Sequence, residues 1–392
     1  MSENKVELIN RIFSPSSPIK EPDFFSGRLD QISKIKNAIS EVGQHVILYG
    51  KRGSGKTSLS NILSFTFPDY YVIKVNCSRT DNFYSIWDKV LRKVSFFIEK
   101  KEIGYNKNTK EETITLSLPE KEYIDADDLT EILQSISADF LIIFDEFDSI
   151  TDNTTKTMMA DTIKALSDNV ENVTLLITGI GENIKQLLGY HPSIERCIKQ
   201  IKLDAFSKEE LSKIIDLRLE LTGLQMDDNL KNLTIEYSSE YAHYVHLISK
   251  YAFLNAVNNK REVIDISDFN YSIEKCIEDT DYSLKHAYEI AVKSSGKKHK
   301  FTNVMYACAT GNFIEKNNFN TKEVVNQYNR LNKSNLTEES VRYNLGMLCR
   351  PERGEILEKL HKTKPPIYTF KNPLMKAYIK LQLHVKMELN KK

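Results

Sequence analysis

One eight-residue string constrains this chain more than any other feature of its sequence. Gly50-Lys-Arg-Gly-Ser-Gly-Lys-Thr57 matches the pattern G-x-x-x-x-G-K-[ST]. An apolar run at 45–49 predicts a buried strand before it, and residues 58–65 predict a helix after it. A glycine-rich loop in that setting turns successive backbone N–H groups toward phosphate oxygens. The string therefore predicts a site for a nucleoside triphosphate, with ATP as the expected nucleotide.

The residues of this loop have different expected parts in holding the nucleotide. Lys56 supplies a point charge to the β- and γ-phosphates, and the Thr57 hydroxyl is placed to ligate Mg²⁺. The other predicted contacts come from Gly50, Lys51, Arg52, Gly53, Ser54, Gly55 and Ser58.

Two acidic residues supply the second half of such a site. The apolar run 140–144 predicts a strand that ends in Asp145 and Glu146. Asp145 is expected to hold Mg²⁺, directly or through water, and Glu146 to polarise the attacking water. The alternative is that one of the two caps a helix while its neighbour is solvated. Asp148 either contacts the residues that bind the metal and nucleotide, without touching these ligands, or caps the helix that follows.

A threonine ends the next predicted strand. The run 173–178 stops at Thr178, so its hydroxyl is expected at the same sheet edge as the two acids, where open α/β sheets bind ligands. Thr178 either orients the lytic water or caps the turn.

Strand and helix patterns alternate along the first half of the chain, which predicts an α/β fold with a parallel sheet. After Ala205 the strand signals stop, and helical periodicity continues to about Cys276. Three helical segments and two strands follow, typical of a winged helix-turn-helix. The predicted domains are 1–27, an extended N-terminal lead-in; 28–205, an ATPase core; 206–281, a helical lid; and 282–392, a winged helix.

Charge is distributed unevenly. The whole chain has 54 basic and 54 acidic residues, but from Tyr282 onward it has 21 Lys and Arg against 9 Asp and Glu, a net charge of +12. A basic winged helix predicts binding to double-stranded DNA. The expected contacts are Arg342, Asn344 and Arg350 on the third helix, and Arg353, Lys359, Lys362 and Lys364 on the hairpin. Docking of a partner protein on this module is the open alternative.

The cysteine pattern and hydropathy predict the compartment. The five cysteines are widely spaced and form no CxxC pair, so neither a disulfide framework nor a zinc site is expected. No apolar run approaches the roughly 20 residues that a membrane span requires. A cytoplasmic protein with no membrane partner is the resulting expectation.

Together these motifs resemble the AAA+ ATPases, in particular the ORC/CDC-like origin-recognition initiators and the related STAND-type P-loop NTPases. Phe25-Ser-Gly-Arg28, ahead of the first predicted core helix, is similar to the F-x-G-R box of that group. The resemblance implies that Pro18, Ile19, Gly27 and Arg28 lie on the base side of the nucleotide.

Two further residues enter through this resemblance. In the family an arginine reaches the γ-phosphate of a neighbouring protomer, and Arg196 stands where that residue is expected; an exposed surface ion pair is the alternative. The family's lid often carries an arginine sensor after a Gly-x-Pro turn, whereas the matching stretch, Ser239 to His246, has neither Gly nor Pro. His243 is the sensor candidate there, or else an ordinary lid residue, and its replacement of arginine predicts slow hydrolysis.

The resulting functional hypothesis is an ATPase switch. ATP and Mg²⁺ would bind at the interface of a homo-oligomer, the winged helix would contact DNA, and slow hydrolysis would release the assembly. The alternative is a STAND-like signalling ATPase, for instance in antiviral defence, whose winged helix docks a separate effector protein.

Overall fold

The structure, a computed structural model, describes residues 2–100, 110–115, 124–135, 138–181, 184–189, 192–293, 300–313, 317–360 and 365–389. The chain divides into two compact units. One comprises residues 17–205, and the other comprises residues 1–16 together with residues 206–392. Among the described residues, no helix is both long and apolar enough to cross a membrane.

A five-stranded parallel sheet organises the unit 17–205, in the strand order β2-β5-β6-β1-β7. The strands of this unit are β1 His45–Gly50, β2 Tyr71–Asn76, β3 Ser95–Lys100, β4 Lys110–Thr115, β5 Phe140–Asp145, β6 Val173–Ile180 and β7 Ile198–Leu203. Its helices are α2 Leu29–Ile39, α3 Lys56–Thr66, α4 Phe83–Leu91, α5 Ala126–Gln134, α6 Asn153–Asn169 and α7 Ile184–Leu188. Strands β3 and β4 form a separate antiparallel pair.

Helices cover both faces of this sheet because its strands are apolar on both sides. Val46 and Leu48 pack with residues of α2 and α3 on one face. Ile47, on the opposite side of the same strand, packs with residues of α4, α5 and α6. The predicted α/β fold with a parallel sheet is therefore confirmed, and the strands predicted at 45–49, 140–144 and 173–178 are present as β1, β5 and β6.

The second unit is mainly helical. Its first part contains α1 Ser2–Ile12, α8 Lys208–Thr222, α9 Asp228–Ser238, α10 Ala242–Asn258 and α11 Ile266–Asp279, with the short strands β8 Gln225–Met226 and β9 Val263–Ile264. Its last part contains α12 Tyr282–Val292, α13 Lys300–Thr310, β10 Asn318–Asn320, α14 Thr321–Asn332, α15 Glu338–Leu348, β11 Leu357–Leu360, β12 Ile367–Phe370 and α16 Met375–Leu389. Residues 206–392 belong to one compact unit, so the division predicted at residue 282 stays a prediction.

The predicted extended form of the N-terminal lead-in is wrong for its first half, which is the helix α1. Ile9, Ile12 and the following Phe13 are almost fully buried. This apolar stripe packs α1 on α10 and α8. Burial of the stripe stabilises a helix that the three later prolines of the lead-in do not interrupt.

The C-terminal part has the predicted winged-helix elements. Helices α13, α14 and α15 pack with a three-stranded sheet of order β10-β12-β11, whose strands are antiparallel. The third strand β10 and the helix α16 were not predicted. β10 has three residues, which are too few to give a periodic signal in the sequence.

Candidate functional site

Three neighbouring strands of the parallel sheet bring their carboxyl ends to one edge. β1 lies beside β6, with Gly50 opposite Ile180, and β6 lies beside β5, with Ile177 opposite Phe144. The segments that follow β1 and β5 start with the glycine-rich loop and with Glu146. The predicted phosphate loop and predicted acids therefore meet at this edge, as ligand sites of open α/β sheets do.

The glycines of the loop permit a backbone that other residues adopt poorly. Gly53 and Gly55 have φ angles of 80° and 89°, in the left-handed region. Gly50 has a different constraint, because a Cβ there would lie 2.3 Å from the carbonyl oxygen of Leu203 on β7. The glycine pattern thus reflects both a tight curl and a close strand contact.

The loop leads directly into the amino terminus of α3. Gly55 caps this helix without a side-chain hydrogen bond, which leaves the first backbone N–H groups for an anion. Lys56 Nζ donates to the carbonyl oxygens of Gly50 at 3.0 Å and Lys51 at 2.9 Å. Burial lowers the pKa of Lys56, while nearby carboxylates, Asp148 foremost, act in the opposite direction. The side chains of Lys51 and Arg52 are exposed.

Oxygen donors of the kind that Mg²⁺ prefers lie on two adjacent elements. The carboxylate of Asp145 is buried at the end of β5, and Thr57 is half-buried in the first turn of α3. Ser60 ties these elements together, because its Oγ lies 2.9 Å from the Thr57 carbonyl oxygen and 3.5 Å from Asp145 Oδ2. This donor set fits a Mg²⁺ ion held by Thr57 and Asp145.

Glu146 and Thr178 are tied to Asp145 by hydrogen bonds. The Thr178 hydroxyl, fully buried, donates to Asp145 Oδ1. The backbone N–H of Glu146 donates to Asp145 Oδ1 at 3.1 Å and to Thr178 Oγ1 at 3.3 Å. Glu146 itself has a left-handed backbone, with φ 58°, and an exposed side chain. Thr178 thus fixes the two acids in position, and the Glu146 carboxylate is accessible to a water molecule.

Asp148 holds the end of β6 in place. Its Oδ1 accepts a hydrogen bond from the backbone N–H of Ile180 at 2.8 Å, and it packs so closely on Gly179 that a Cβ there would lie 3.1 Å from the same oxygen. Of the two expectations for Asp148, the supporting position fits this geometry.

Lys74 lies in this site although the sequence reasoning did not select it. Its Nζ is 2.7 Å from Asp145 Oδ2. It also donates to Ser60 Oγ at 2.7 Å and to Asn61 Oδ1 at 2.6 Å. The signal was a lysine within the otherwise apolar run 71–75, where a charge needs a partner.

The second half of the lead-in lies beside the phosphate-loop helix. The Ile19 backbone N–H donates to Ser58 Oγ at 3.2 Å, and its carbonyl oxygen accepts from Asn61 Nδ2 at 3.1 Å. Pro18 is exposed, and Gly27 has a φ of 85°. The structure thus brings Ile19 and Ser58 together. Contact of the lead-in with a nucleotide base stays a prediction.

Arg28 occupies a supporting position in the same unit. It is buried, and its Nη2 donates to the carbonyl oxygens of Ser54 at 3.0 Å and Asp204 at 2.8 Å. Arg28 therefore braces the phosphate loop against the segment that follows β7. The family resemblance implies a place for Arg28 near the nucleotide base, but it did not reveal this contact.

His243 lies in the helical unit at the start of α10. Its Nδ1 is 2.8 Å from the carbonyl oxygen of Pro15 and acts as the donor, since a carbonyl only accepts. Burial lowers the pKa of His243, and the hydrogen bond to Pro15 opposes that effect. The neutral imidazole is favoured, and His243 holds the lead-in. A sensor role stays a prediction.

Arg196 lies far from the phosphate loop of its own protomer. It precedes β7, whose first residue Ile198 pairs with His45 at the start of β1. The loop follows the other end of β1, six residues away, which is about 20 Å for extended chain. The Arg196 side chain is largely exposed and pairs with Asp168 at 2.6 Å. The surface ion pair, which was the alternative for Arg196, is therefore present, and the contact with a neighbouring protomer stays a prediction.

The winged helix exposes part of the predicted DNA-binding set. Arg342, Tyr343 and Arg350 border a groove of about 560 Å³ on the outer face of α15. Asn344 is buried on the inner face, so its predicted contact with DNA is wrong. It stands three residues after the buried Val341, and therefore on the core side of the helix.

The hairpin that follows α15 carries the other four predicted DNA contacts. Lys359 is exposed. Arg353 instead stacks on Phe301, 4.2 Å from the ring centroid, and donates to the carbonyl oxygen of Lys293. Lys362 and Lys364 lie outside the described residues.

Comparison with protein families relates this arrangement to known proteins. The family model described as Novel STAND NTPase 1 (nSTAND1) matches residues 18–261, which is more than half of the chain. That span contains the phosphate loop, both acids, Lys74 and Arg196. A comparison with curated proteins found no match.

Solved structures share the fold along nearly the whole length. The ORC2 protein of Aeropyrum pernix, solved as ADPNP-ADP complexes, has 15% identity and a TM-score of 0.50, covering 97% of this chain and 98% of that one. The Walker-type ATPase PABY2304 of Pyrococcus abyssi has 12% identity and a TM-score of 0.53, covering 94% and 99%.

Proposed function

This chain belongs to the Novel STAND NTPase 1 family, and on that basis we propose that it is an ATP-operated switch that binds ATP with Mg²⁺, hydrolyses it slowly and changes its assembly in response. The observation that carries the proposal is the meeting of the phosphate loop, Asp145 and Glu146 at one sheet edge. The adenine nucleotides named for the Aeropyrum pernix ORC2 structure support ATP as the ligand.

The side chains at this edge have separate roles in the proposed reaction. Mg²⁺, held by Thr57 and Asp145, would neutralise charge on the phosphates. Lys56 would exchange its loop carbonyl partners for phosphate oxygens. The exposed Glu146 carboxylate would polarise the attacking water, while Thr178 keeps Glu146 and Asp145 in register.

Two substitutions test binding and hydrolysis separately. Lys56→Ala removes the cation next to the phosphates and should abolish ATP binding. Glu146→Gln keeps the side-chain volume but removes the base, so ATP should stay bound while turnover falls. Binding is measured by titration calorimetry and turnover by phosphate release. Unchanged turnover in both variants would contradict the proposal.

Self-assembly forms the second part of the proposed switch. Arg196 lies at the end of the sheet opposite to the loop, and this position supports a role toward a phosphate on a neighbouring copy. ATP between protomers would then favour the assembled state, and hydrolysis would release it. The coupling is a difference in affinity between nucleotide states.

DNA is the partner that we propose for the winged helix. The net charge of +12 from Tyr282 onward and the exposed Arg342, Arg350 and Lys359 support it. Neutralising several phosphates predicts binding that weakens steeply with salt. A gel shift with double-stranded DNA across a salt series, with and without ATP, tests this. Absence of a shift at low salt, or indifference to ATP, would contradict it.

A separate effector protein is the second candidate partner, and one observation favours it. The first turn of α15 carries Glu338 and Glu339, and both are exposed. Amino-terminal residues of a recognition helix commonly face the bases, and carboxylates there repel DNA phosphates. Retention of ATP-dependent assembly without any DNA binding would favour this signalling role.

A further inference from the structure

Lys74 is a charged residue in a buried strand, and its environment explains why it is there. The side chain is 20% exposed, and its Nζ lies between the end of β5 and helix α3. Three acceptors surround this nitrogen within 2.7 Å: Asp145 Oδ2, Ser60 Oγ and Asn61 Oδ1. A half-buried ammonium is stable in this strand because it has an ion pair and further hydrogen bonds.

Asp145 is the carboxylate that we expect to hold Mg²⁺, so the ion pair has a consequence for the metal. Its Oδ1 already accepts hydrogen bonds from Thr178 and from the Glu146 backbone. Lys74 Nζ pairs with Oδ2. A metal ion near Oδ2 must therefore share this oxygen with the Lys74 ammonium group or displace the ammonium group. Like charges at such separation repel strongly in a partly buried site.

The ammonium group of Lys74 also supplies positive charge next to the phosphate loop when no metal is bound. It lies beside the first turns of α3, where the phosphate loop ends, and within 3.5 Å of the Thr57 carbonyl oxygen. A positive charge this close to the phosphate loop offsets the negative charge of Asp145 and so favours binding of an anionic nucleotide. Lys74 therefore acts in opposite directions on the nucleotide and on the metal.

We propose that Lys74 is a positioning residue whose ion pair with Asp145 sets how strongly nucleotide binding depends on Mg²⁺. This proposal rests on the proposed site for ATP and Mg²⁺. In this arrangement the wild-type protein tolerates loss of the metal better than a variant without the ammonium. Asn61 connects this ion pair to the lead-in, because it accepts a hydrogen bond from Lys74 and donates one to the carbonyl oxygen of Ile19.

The test measures the dissociation constant of a fluorescent, non-hydrolysable ATP analogue in EDTA and in saturating Mg²⁺, using the full chain. Lys74→Met should weaken binding in EDTA and strengthen it in Mg²⁺. The ratio of the two constants should rise about tenfold, which corresponds to about 1.4 kcal/mol. Lys74→Arg keeps the charge and should restore a ratio close to that of the wild type.

A neighbouring ion pair provides the matched control. Lys89 pairs with Asp81 at 2.6 Å and does not contact Asp145, so Lys89→Met should lower stability without changing the ratio. If Lys74→Met does not fold, Lys74→Gln, which retains a donor for Asp145 without the charge, should raise the ratio in the same direction.

The outcomes separate the two proposals. A wild-type chain that binds no nucleotide overturns the proposed function. A wild-type chain that binds, while the folded Lys74→Met or Lys74→Gln variant has the wild-type ratio, overturns the role of Lys74 alone. A change in melting temperature without a change in this ratio identifies Lys74 as merely structural.

Discussion

The guanidinium of Arg28 donates a hydrogen bond to the carbonyl oxygen of Ser54 at 3.0 Å, across 26 positions of sequence. The same Nη2 reaches the carbonyl oxygen of Asp204 at 2.8 Å. Arg28 of the Phe-Ser-Gly-Arg box therefore stabilises the backbone of the phosphate loop. The loop owes its shape to this brace as well as to its own glycines.

Loss of the brace should loosen the loop. Arg28→Met keeps most of the buried stem but leaves two carbonyl oxygens without this donor, so we expect about 2 to 3 kcal/mol less stability and weaker ATP binding. Urea unfolding and calorimetry measure the two effects. Arg79→Met, at an exposed arginine, is the control. Unaltered ATP affinity in a destabilised Arg28→Met would contradict the brace.

The hydroxyl of Thr178 should matter for hydrolysis more than for binding. Thr178→Val keeps the shape but removes the donor to Asp145 and the acceptor for the Glu146 N–H. We expect turnover to fall roughly 10- to 100-fold, which is at or below the lower limit of what a positioned catalytic group contributes, because Thr178 acts through its neighbours. ATP affinity should change little. Thr178→Ser retains the hydroxyl and should stay active; equal losses in both variants would mean that packing, not the hydroxyl, is responsible.

The left-handed backbone of Glu146 predicts that this residue lowers the stability of the fold while it supports ATP hydrolysis. A non-glycine residue at φ 58° costs roughly 1 to 2 kcal/mol. Glu146→Gly should relieve part of that strain and raise the melting temperature while abolishing hydrolysis. Glu146→Gln should abolish hydrolysis without the gain. A Glu146→Gly variant less stable than Glu146→Gln would show that the backbone is unstrained.

Much of the core could be predicted because its signals are local. The apolar run 140–144 and the loop 50–57 each specify an element within a few residues, and parallel pairing then brings their ends together. The predicted resemblance to STAND-type NTPases is confirmed by the family match over residues 18–261, and the ORC2 structure of Aeropyrum pernix shares the fold.

The contacts that the sequence did not reveal are long-range. Lys74 meets Asp145 only through the pairing of β2 with β5, and Arg28 meets Asp204 across most of the core. Helix α1 is short, and its apolar stripe becomes informative only when α10 is placed against it. The predicted contact of Asn344 with DNA is wrong because a polar side chain is not necessarily exposed, whereas its helical spacing from Val341 predicts the inner face.

Two buried histidines predict acid sensitivity. Burial lowers the pKa of His45 to about 4, and its Nδ1 accepts from the Leu175 N–H at 3.0 Å. Burial and the Arg218 charge lower the pKa of His246 to about 3. Between pH 6.5 and these values the unfolded chain binds more protons than the folded one. Stability is therefore complete above pH 6.5 and falls with pH below it, by about 1.4 kcal/mol per unit for each ring.

This slope can be assigned by substitution. His45→Asn offers an acceptor to Leu175 that does not titrate, so its unfolding free energy should fall less steeply between pH 6.5 and 4. His286→Asn, at an exposed ring, is the matched control. Urea unfolding at several pH values measures the slope. A slope as steep in His45→Asn as in the wild type would show that His45 is not its source.

The position of Arg196 predicts that hydrolysis requires two copies of the chain. Its position beside the amino-terminal end of β7 leaves it about 20 Å from the loop of its own protomer. Arg196→Ala and Lys56→Ala should each lack activity alone, yet a mixture should recover part of it, because one copy supplies the arginine and the other the intact loop. Phosphate release from the mixture measures this recovery. Asp168→Asn removes an exposed ion pair worth under about 1 kcal/mol and should stay active. A mixture that assembles but remains inactive would exclude Arg196 as the group supplied in trans.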